Sequence, residues 1–407
     1  MIEPVAPEHR LRLCVLADLD GVHTHSWVRY FVRRGHDVHG ISFYTPARPP
    51  EGVTVHALRP AGGGGVLPGK DARPGLTPRL ARGLPPGIQR LVQLLRYRRA
   101  GLRRVVEEIA PDVLHAHYLI EHGLYGTSAG FRPYAVTAWG SDVLVDPARS
   151  PLSRAIARFV LGRCDLATAN NRRMAREMVL KLGIDRARVQ HIVLGVERDF
   201  LPPPGASINA RVVDPGRAPI VLSTRSLDTP LYNIDVVLRA MGRVRGRVPS
   251  ARLVVAGDGR LRPQLESLAQ QLGLGETVRF AGGLSQAELR DAMLEAEVFV
   301  SVPSSDATSV ALLQAMACGS FPIVSDLPTQ EELVEHETQG LRVPVRDAVA
   351  LGEAIVRALE DVALRRDAVE RNRTFVEEYG LLDPNMARME AWYYRLAGRA
   401  GEVEGEG

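Results

Sequence analysis

The stretch FVSVPSSDATSVALLQAMACGSFPIVSD, residues 299–326, decides the fold of this chain. Apolar residues at 298–300 and 322–324 predict two buried strands. Between them, residues 309–317 have the apolar spacing of a helix, and Gly319 stands where such a helix would stop. Strand, loop, helix and strand form the repeating unit of a parallel α/β sheet, in which ligands bind beyond the carboxyl ends of the strands.

The loop before this helix is expected to bind an anion. A helix N-terminus offers free backbone N–H groups and a positive partial charge, which suit a phosphate, and Thr308, Ser309 and Val310 lie there. Asp306 precedes them, and Gln314 follows Asp306 by eight positions. We expect Gln314 about two turns inside the helix, on an azimuth similar to that of Asp306.

The composition indicates a globular protein of two α/β domains. The chain has 407 residues, of which 45% are hydrophobic and 24% charged. No apolar run is long enough to span a bilayer, and no apolar signal segment precedes the first strand. Three cysteines scattered through apolar segments favour reduced thiols in a cytoplasmic protein. The net charge of +4 is too small to require a nucleic-acid partner.

A Pro-rich linker is predicted at residues 201–205, between two series of alternating strands and helices. We therefore predict an N-terminal domain at 1–203 and a C-terminal domain at 204–380. Residues 381–407 would form a final helix with an apolar stripe, followed by a Gly- and Glu-rich tail.

The segment QAMACG at 314–319, with Asp306 eight positions before it, resembles the most diagnostic element of the group 1 glycosyltransferases. That family, which is retaining and has the GT-B fold, carries glutamates at the positions of Asp306 and Gln314. The Gly-Asp-Gly turn at 257–259 resembles a further family element. The resemblance implies two Rossmann-like domains facing an interdomain cleft, with the C-terminal helix crossing back to the N-terminal domain.

The resemblance implies that a nucleotide-sugar donor binds the C-terminal domain. Arg225 stands where the family has an arginine that grips the diphosphate, and Tyr232 replaces a family lysine. Asp306 would accept hydrogen bonds from the donor sugar, and Gln314 would bridge ribose hydroxyls without a charge. The implied donor-binding residues are Arg225, Tyr232, Asn233, Gly257, Phe280, Asp306, Thr308, Ser309, Val310 and Gln314, and the catalytic candidates are Arg225 and Asp306.

The acceptor is expected on the N-terminal domain, and the candidate residues there are Gly21, His25, His117, Trp139 and Asp142. Trp139 replaces a family histidine that contacts the transferred sugar, and a tryptophan can stack on a sugar but takes up no proton. His115 and His117 end a predicted strand, and we expect only one of them to face the ligand. No partner with metal-site spacing follows, so zinc is not expected. A lone histidine such as His25 is more often structural.

The predicted activity is transfer of a sugar from a nucleotide-sugar to a saccharide or lipid-linked saccharide acceptor, as in polysaccharide biosynthesis. The resemblance implies retention of anomeric configuration, with no metal and no cofactor. The alternative is a catalytically inert GT-B scaffold that binds a nucleotide or a partner protein, because Trp139, Tyr232 and Gln314 depart from the family. A GT-B epimerase is less favoured, since it needs acid and base groups that the sequence does not assemble.

Residues 88–106 alternate arginines with apolar residues at helical spacing. This basic amphipathic pattern predicts a peripheral contact with an anionic membrane, at its inner, cytoplasmic face, where a lipid-linked acceptor would be found. The alternative left open is an ordinary surface helix whose apolar side packs on the sheet.

Overall fold

The computed structural model describes residues 3–58, 101–202 and 217–400. The chain divides into two compact units, one formed by Met1–Leu194 with Asp383–Gly407 and the other by Gly195–Leu382. Each unit is built on one wholly parallel sheet, so the predicted pair of α/β domains is confirmed. The predicted boundary lay after residue 203, whereas the structure groups the chain from Gly195 onward with the second unit. There the Val196 amide donates to the Gly380 carbonyl at 2.7 Å.

The first unit has a seven-stranded sheet in the order β3-β2-β1-β4-β5-β6-β7. Its strands are β1 (Arg12–Leu16), β2 (Asp37–Ser42), β3 (Thr54–Ala57), β4 (Val113–His117), β5 (Tyr134–Ala138), β6 (Leu166–Ala169) and β7 (Val189–His191). Its described helices up to Leu194 are α1 (Val22–Arg33), α2 (Leu102–Ile109), α3 (His122–Ala129), α4 (Ser141–Leu144), α5 (Asp146–Arg149), α6 (Pro151–Leu161) and α7 (Arg172–Leu180).

The second unit has a six-stranded sheet in the order β10-β9-β8-β11-β12-β13. Its strands are β8 (Ile220–Ser223), β9 (Arg252–Ala256), β10 (Val278–Gly282), β11 (Val298–Ser301), β12 (Phe321–Ser325) and β13 (Leu341–Val343). Its described helices are α8 (Ile234–Arg247), α9 (Arg262–Gln271), α10 (Gln286–Glu295), α11 (Val310–Cys318), α12 (Ala348–Glu360) and α13 (Val362–Phe375), followed by a π-helical turn at Val376–Gly380. The last helix, α14 (Leu382–Leu396), is grouped with the first unit from Asp383 onward.

The stretch that decides the fold adopts the predicted order of β11, α11 and β12. Ser309 caps the helix, because its hydroxyl accepts from the Leu312 amide at 3.2 Å. Gly319 ends the helix with a φ of 86°, a left-handed conformation that glycine adopts without steric cost. The predicted place of Gln314 was wrong. The helix begins at Val310, so Gln314 lies little more than one turn inside it.

The two faces of the first sheet carry different helices. Residues from α2, α3, α6 and α7 share one hydrophobic core with the sheet, to which β4 contributes Leu114 and Ala116. Side chains alternate along a strand, so His115 of β4 lies on the other face. There it contacts Trp27 of α1 and Tyr393 of α14, and the Trp27 Nε1 donates to the Tyr393 hydroxyl at 3.2 Å. The terminal helix is thus part of the first unit.

A buried carboxylate attaches α14 to α1 and the start of β2. Glu390 is 5% exposed and accepts from the Tyr30 hydroxyl at 2.8 Å, from the Arg34 Nε at 3.1 Å and from the His36 Nε2 at 2.7 Å. Burial raises the pKa of Glu390, but the hydrogen bonds from His36, Tyr30 and Arg34 outweigh that effect and leave the pKa below its ordinary value. The charged form of Glu390 therefore stabilises the folded unit.

Most of the predicted membrane segment 88–106 lies outside the described residues. Its last part begins α2, where Leu102 and Val106 are buried in the hydrophobic core. Arg103 and Arg104 are exposed and pair with glutamates one turn later in the same helix. This part therefore has the arrangement of a surface helix packed on the sheet. Within the described residues, no helix combines the length and apolar character needed to cross a bilayer.

We predict that Glu390→Gln lowers the thermal midpoint of the first unit by about 4–10 °C at pH 7, because three donors then lose a charged acceptor. The folded pKa of Glu390 lies below its unfolded value. Its contribution is therefore complete at neutral pH and declines as the pH falls below the ordinary carboxyl value of about 4.3. Differential scanning calorimetry between pH 7 and pH 3 should show that the difference in thermal midpoint between variant and wild type becomes smaller as the pH falls. The control is Glu107→Gln, which alters an exposed ion pair and should change the free energy of unfolding by at most about 1 kcal/mol. An equal loss of stability in both variants would contradict the prediction.

Candidate functional site

An arginine joins the carboxyl ends of two neighbouring strands in the second unit. Arg225 follows β8, and Ser301 ends β11 beside it. The Ser301 hydroxyl accepts from the Arg225 Nε at 2.9 Å and from the Nη2 at 2.5 Å. The Nη2 also donates to the Ser309 hydroxyl, the cap of α11, at 3.0 Å. The guanidinium is thereby held at the mouth of that helix.

Asp306 also holds this guanidinium, through an ion pair. Its Oδ2 lies 2.5 Å from the Arg225 Nη2, and its Oδ1 accepts from the Ala307 amide at 3.0 Å. The two side chains are only 11% and 16% exposed, so the ion pair is partly shielded from water. Within the described part of the chain, the Arg225 Nη1 has no hydrogen-bond partner. The pair is therefore fixed in place and still has a donor nitrogen available for an anion.

Two glycines bring a turn against the backbone that carries Arg225. A Cβ at Gly257 would lie 2.1 Å from the Arg225 carbonyl oxygen, and a Cβ at Gly259 would lie 2.4 Å from the Asp228 nitrogen. Between them, the Asp258 carbonyl accepts from the Leu227 amide at 2.9 Å. Only glycine allows this approach. The predicted donor-site residue Gly257 thus positions Arg225.

The neighbouring residues Tyr232 and Asn233 make different contacts: Tyr232 lies near Arg225, whereas Asn233 is buried. The Tyr232 ring centroid is 5.1 Å from the Arg225 Cζ, within range of a cation–π contact. Asn233 is fully buried and donates to the Val302 carbonyl at 2.8 Å, while its side-chain oxygen accepts from the Arg346 Nη1 at 3.0 Å. Asn233 therefore holds the loop after β11, and Arg346 is a cation near this edge that the sequence did not predict.

The remaining predicted donor residues lie around the same edge. Thr308 is 9% exposed, Val310 opens α11, and the amides of its first turn lack acceptors within the helix. Gln314 is 8% exposed, and its Nε2 lies 3.4 Å from the Gln286 Oε1. Phe280 packs against the core of the second unit and presents its carbonyl to the Arg262 Nη2 at 3.3 Å. Their roles toward a donor stay predictions.

Two hydroxyls next to Arg225 were missed by the sequence reasoning. The Ser223 Oγ and the Thr224 Oγ1 are buried, and neither has a hydrogen-bond partner among the described residues. Buried polar groups are normally satisfied, so unpaired ones point to a group that the protein alone does not supply. The sequence did contain a signal for them, because two consecutive hydroxyl residues stand at the end of the apolar strand β8, Ser223 as its last residue and Thr224 directly after it.

In the first unit, His117 lies inside a cluster of rings. Its ring centroid is 5.0 Å from that of Trp27, 5.5 Å from that of Trp139 and 4.9 Å from that of His115, all edge-to-face. Trp139 is stacked on the exposed His23 at 5.3 Å. The expectation that only one histidine of the pair faces this side was wrong, because residues two apart on a strand project from the same face.

The two buried histidines differ in their hydrogen bonds. The His115 Nδ1 lies 2.5 Å from the Tyr393 hydroxyl, and its Nε2 lies 2.7 Å from the Thr137 Oγ1. Neither ring nitrogen of His117 has a partner among the described residues. Burial lowers the pKa of His115 to about 3, and burial together with neighbouring histidines lowers the pKa of His117 well below its ordinary value. Both rings are neutral at physiological pH.

The other predicted acceptor-side residues brace loops. Gly21 precedes α1, and the His25 Nε2 lies 2.8 Å from the Leu19 carbonyl, across the loop between β1 and α1. Asp142 is fully buried and accepts from the amides of Leu119 and Gly140 at 2.7 and 2.9 Å. Burial raises the pKa of Asp142 to about 6, against these backbone hydrogen bonds. Over the three described ranges, no group of histidine, cysteine and acidic side chains is placed to hold a metal ion.

Two family profiles match consecutive parts of the chain. Residues 21–200 match the profile described as Glycosyltransferase Family 4, and residues 208–375 match the profile described as Glycosyl transferases group 1.

The chain belongs to the group 1 glycosyltransferases.

Curated relatives of this glycosyltransferase carry related names. It is 28% identical over 340 residues to the D-inositol 3-phosphate glycosyltransferase of Kribbella flavida, which covers 76% of this chain and 80% of that protein. It is 30% identical over 163 residues to the phosphatidyl-myo-inositol mannosyltransferase of Mycolicibacterium smegmatis, covering 39% and 41%. It is also 30% identical over 164 residues to an uncharacterized glycosyltransferase of Methanocaldococcus jannaschii, an alignment that covers 40% of this chain and 42% of that protein. The last two alignments span about two fifths of those relatives.

Solved structures share the fold. Anabaena HepE in complex with UDP superposes with a TM-score of 0.72 at 15% identity, covering 95% of this chain and 100% of that chain. Sucrose-phosphate synthase from Thermosynechococcus elongatus superposes with a TM-score of 0.72 at 20% identity, covering 95% of this chain and 99% of that chain. At these identities the likeness concerns the fold alone, and the predicted GT-B fold of this group 1 glycosyltransferase is confirmed.

We predict that Gly257→Ala lowers the free energy of unfolding of the second unit by about 1–3 kcal/mol, because the new methyl group would meet the Arg225 carbonyl. The control is Gly242→Ala on α8, where no atom lies within 4 Å of the added Cβ. That change should raise the free energy of unfolding by about 0.5–1 kcal/mol. Thermal melts of both variants measure the two opposite shifts, and a stabilised Gly257→Ala would contradict the described turn.

We also predict opposite effects for the two buried histidines. Replacing the unpaired ring in His117→Leu should raise the free energy of unfolding by about 1–3 kcal/mol, whereas His115→Leu should lower it because Tyr393 and Thr137 lose their partner. The gain for His117→Leu should grow as the pH falls below about 6.5. There the unfolded wild-type chain binds a proton that the buried imidazole does not. Thermal melts at pH 8 and pH 5.5 measure both, and a destabilised His117→Leu at both pH values would refute the unpaired state.

Proposed function

We propose that this protein transfers a glycosyl group from a nucleotide-sugar to a saccharide or lipid-linked saccharide acceptor, with retention of anomeric configuration. The observation that carries the proposal is the Arg225 guanidinium, which is fixed by Asp306, Ser301 and Ser309 and keeps its Nη1 without a partner among the described residues. It lies at the carboxyl edge of a parallel sheet and at the mouth of α11, where a diphosphate fits best.

In the proposed reaction, the bond between the anomeric carbon and the diphosphate oxygen breaks, and the acceptor oxygen forms the new glycosidic bond. The acceptor hydroxyl proton leaves with the nucleoside diphosphate. Negative charge grows on the leaving oxygen, and Arg225 together with the amides of Val310 and Ala311 would stabilise it. Because these groups are already held in place, they need no reorganisation as the charge develops. We propose no metal and no cofactor for this step.

The relatives indicate the chemical class of the donor, a nucleotide-sugar, but they do not identify its base or its sugar. Anabaena HepE is described in complexes with UDP and with UDP-glucose, which supports a nucleotide-sugar donor here. The names of curated relatives include inositol phosphate and phosphatidyl-inositol acceptors, which supports an acceptor with hydroxyl groups. A role in polysaccharide biosynthesis, a cytoplasmic location and a peripheral membrane contact through residues 88–106 belong to the same proposal.

An inert scaffold is the second candidate, and a specific observation favours it. The position expected to hold a lysine carries Tyr232, and the position expected to hold a glutamate carries the buried Gln314. Both changes remove a charge from the edge where Arg225 lies. Such a scaffold would bind a nucleotide-sugar without turning it over.

A screen against UDP-, GDP-, ADP- and TDP-sugars separates the two candidates. A ligand at a hundred times its dissociation constant stabilises the protein by about 2.7 kcal/mol, which a thermal-shift assay detects. Stabilisation with release of the nucleoside diphosphate supports the transferase and identifies its donor. Stabilisation without turnover in the presence of saccharide acceptors supports the scaffold. An absence of stabilisation with every donor would contradict both.

For the enzyme, we predict that Arg225→Ala lowers kcat for transfer by about 10²–10³-fold, since one charged donor to the leaving phosphate is lost. The variant should still fold, with an unfolding midpoint a few degrees lower, because Asp306 loses its partner but keeps some access to water. Arg239→Ala on α8 removes an exposed arginine from the same unit and should leave kcat unchanged. Full transfer activity in Arg225→Ala would overturn the role assigned to Arg225.

A further inference from the structure

One stretch of the first unit carries a strong excess of positive charge within the described residues. Residues 149–188 contain ten arginine and lysine residues and three acidic residues, a net charge of +7, whereas the whole chain carries +4. The rest of the chain therefore sums to −3. This stretch contains α6 and α7 together with the loops around them.

The two helices present their outer sides in the same direction. Their inner side chains, including Val160 of α6 and Met178 of α7, belong to one hydrophobic core on one face of the sheet. The Arg158 Nη2 lies 3.7 Å from the place of a Cβ at Gly183, just beyond α7, so the two helices form a continuous surface. We call this surface the α6–α7 face.

Large apolar side chains are exposed on the α6–α7 face among its arginines. Leu152 and Phe159 of α6 are 40% and 42% exposed, and Leu180 of α7 is 73% exposed. They are three of only seven large hydrophobic residues that the described ranges expose. On α6, Leu152 and Phe159 lie along one side of the outer surface, and Arg154 and Arg158 lie along the other side. An exposed apolar ridge beside a row of cations is the pattern of a helix that lies in a membrane interface.

The cations on α6 and directly beside it are not neutralised by carboxylates of the described residues. In the described part of the chain, Arg149, Arg154, Arg158 and Arg163 form no ion pair with a carboxylate. The Arg163 Cζ lies 3.9 Å from the Phe159 ring centroid, so this cation lies on the exposed ring.

The three acidic residues of the stretch are already engaged. Glu177 pairs with Arg173 and Lys181, Asp165 pairs with Arg132, and the Asp185 carboxylate accepts from the Ala187 amide. The positive potential of the α6–α7 face therefore points to an anionic partner. By contrast, the arginines of α2 each have a glutamate partner.

We propose that the α6–α7 face docks this protein on an anionic phospholipid surface. Phosphate headgroups would lie against Arg154 and Arg158, and Phe159 and Leu152 would enter the boundary with the acyl chains. Nucleic acid is less well matched, because exposed leucines supply neither stacking nor hydrogen bonds to bases. The face is formed by residues other than those of the segment 88–106, and the proposal is independent of any catalytic activity.

The test is flotation of the full chain with vesicles, without substrates. We expect partition onto phosphatidylcholine vesicles containing about 30% phosphatidylglycerol, weaker partition at high salt, and little onto phosphatidylcholine alone. Each cation near an anionic surface is worth about a fivefold change in partition, so Arg154→Glu with Arg158→Glu should weaken binding by at least about 25-fold. Phe159→Ser with Leu152→Ser should weaken the binding that persists at high salt.

The matched control is Arg239→Glu with Arg243→Glu on α8, which reverses two exposed arginines at the same spacing in the second unit. It should bind vesicles like the wild type. Equal loss in the control, no binding of the wild type at low salt, or unchanged binding of the α6 variants would each overturn the proposal. Retention on poly(U) without vesicle binding would instead identify a nucleic-acid surface and also overturn it. Thermal melts verify folding, and Phe159→Ser alone replaces the double variant if that variant unfolds.

Discussion

The guanidinium of Arg225 is the contact on which the carboxyl edge of the second unit depends. It joins the ends of β8 and β11 to the cap of α11 through Ser301, Asp306 and Ser309, which are 76–84 positions away in the chain. Its own backbone is held by the close approach of Gly257. A charge that is fixed before ligand arrives stabilises developing negative charge without a further cost of orientation. The same contacts keep the loop after β11 against the sheet.

The sheet of the first unit separates two kinds of surface. On one face, α1 and α14 enclose a cluster of neutral rings around His117, with Trp139 between that ring and the exposed His23. On the other face, α6 and α7 bury an apolar core and turn arginines outward. Both arrangements follow from the alternation of side chains along β4 and β5, which sends neighbouring residues to opposite faces. One sheet thereby supports an enclosed cluster of rings and an open basic surface.

The positions that depart from the family have acquired neighbours of their own. Tyr232 places its ring near Arg225, Gln314 lies within reach of Gln286, and Trp139 stacks on His23. Where the family resemblance implies a charged or titrating side chain, each of these residues instead packs on a ring or a cation or lies near a neutral hydrogen-bond partner. The edge of the second unit thus has Arg225 as a cation, with the uncharged Tyr232 and Gln314 where the resemblance implies charged residues.

The sequence by itself determined the strands, the helices and their order, because apolar spacing and stop signals such as Gly319 act over a few residues. It also located Arg225 and Asp306, each at the end of a strand or at a helix mouth. Only the tertiary structure decided that these two pair with each other, that Asn233 is buried as a brace, and that the His117 ring nitrogens lack a hydrogen-bond partner among the described residues. Such outcomes depend on which strands lie side by side and which helix covers them. The spacing of residues within one element determines neither.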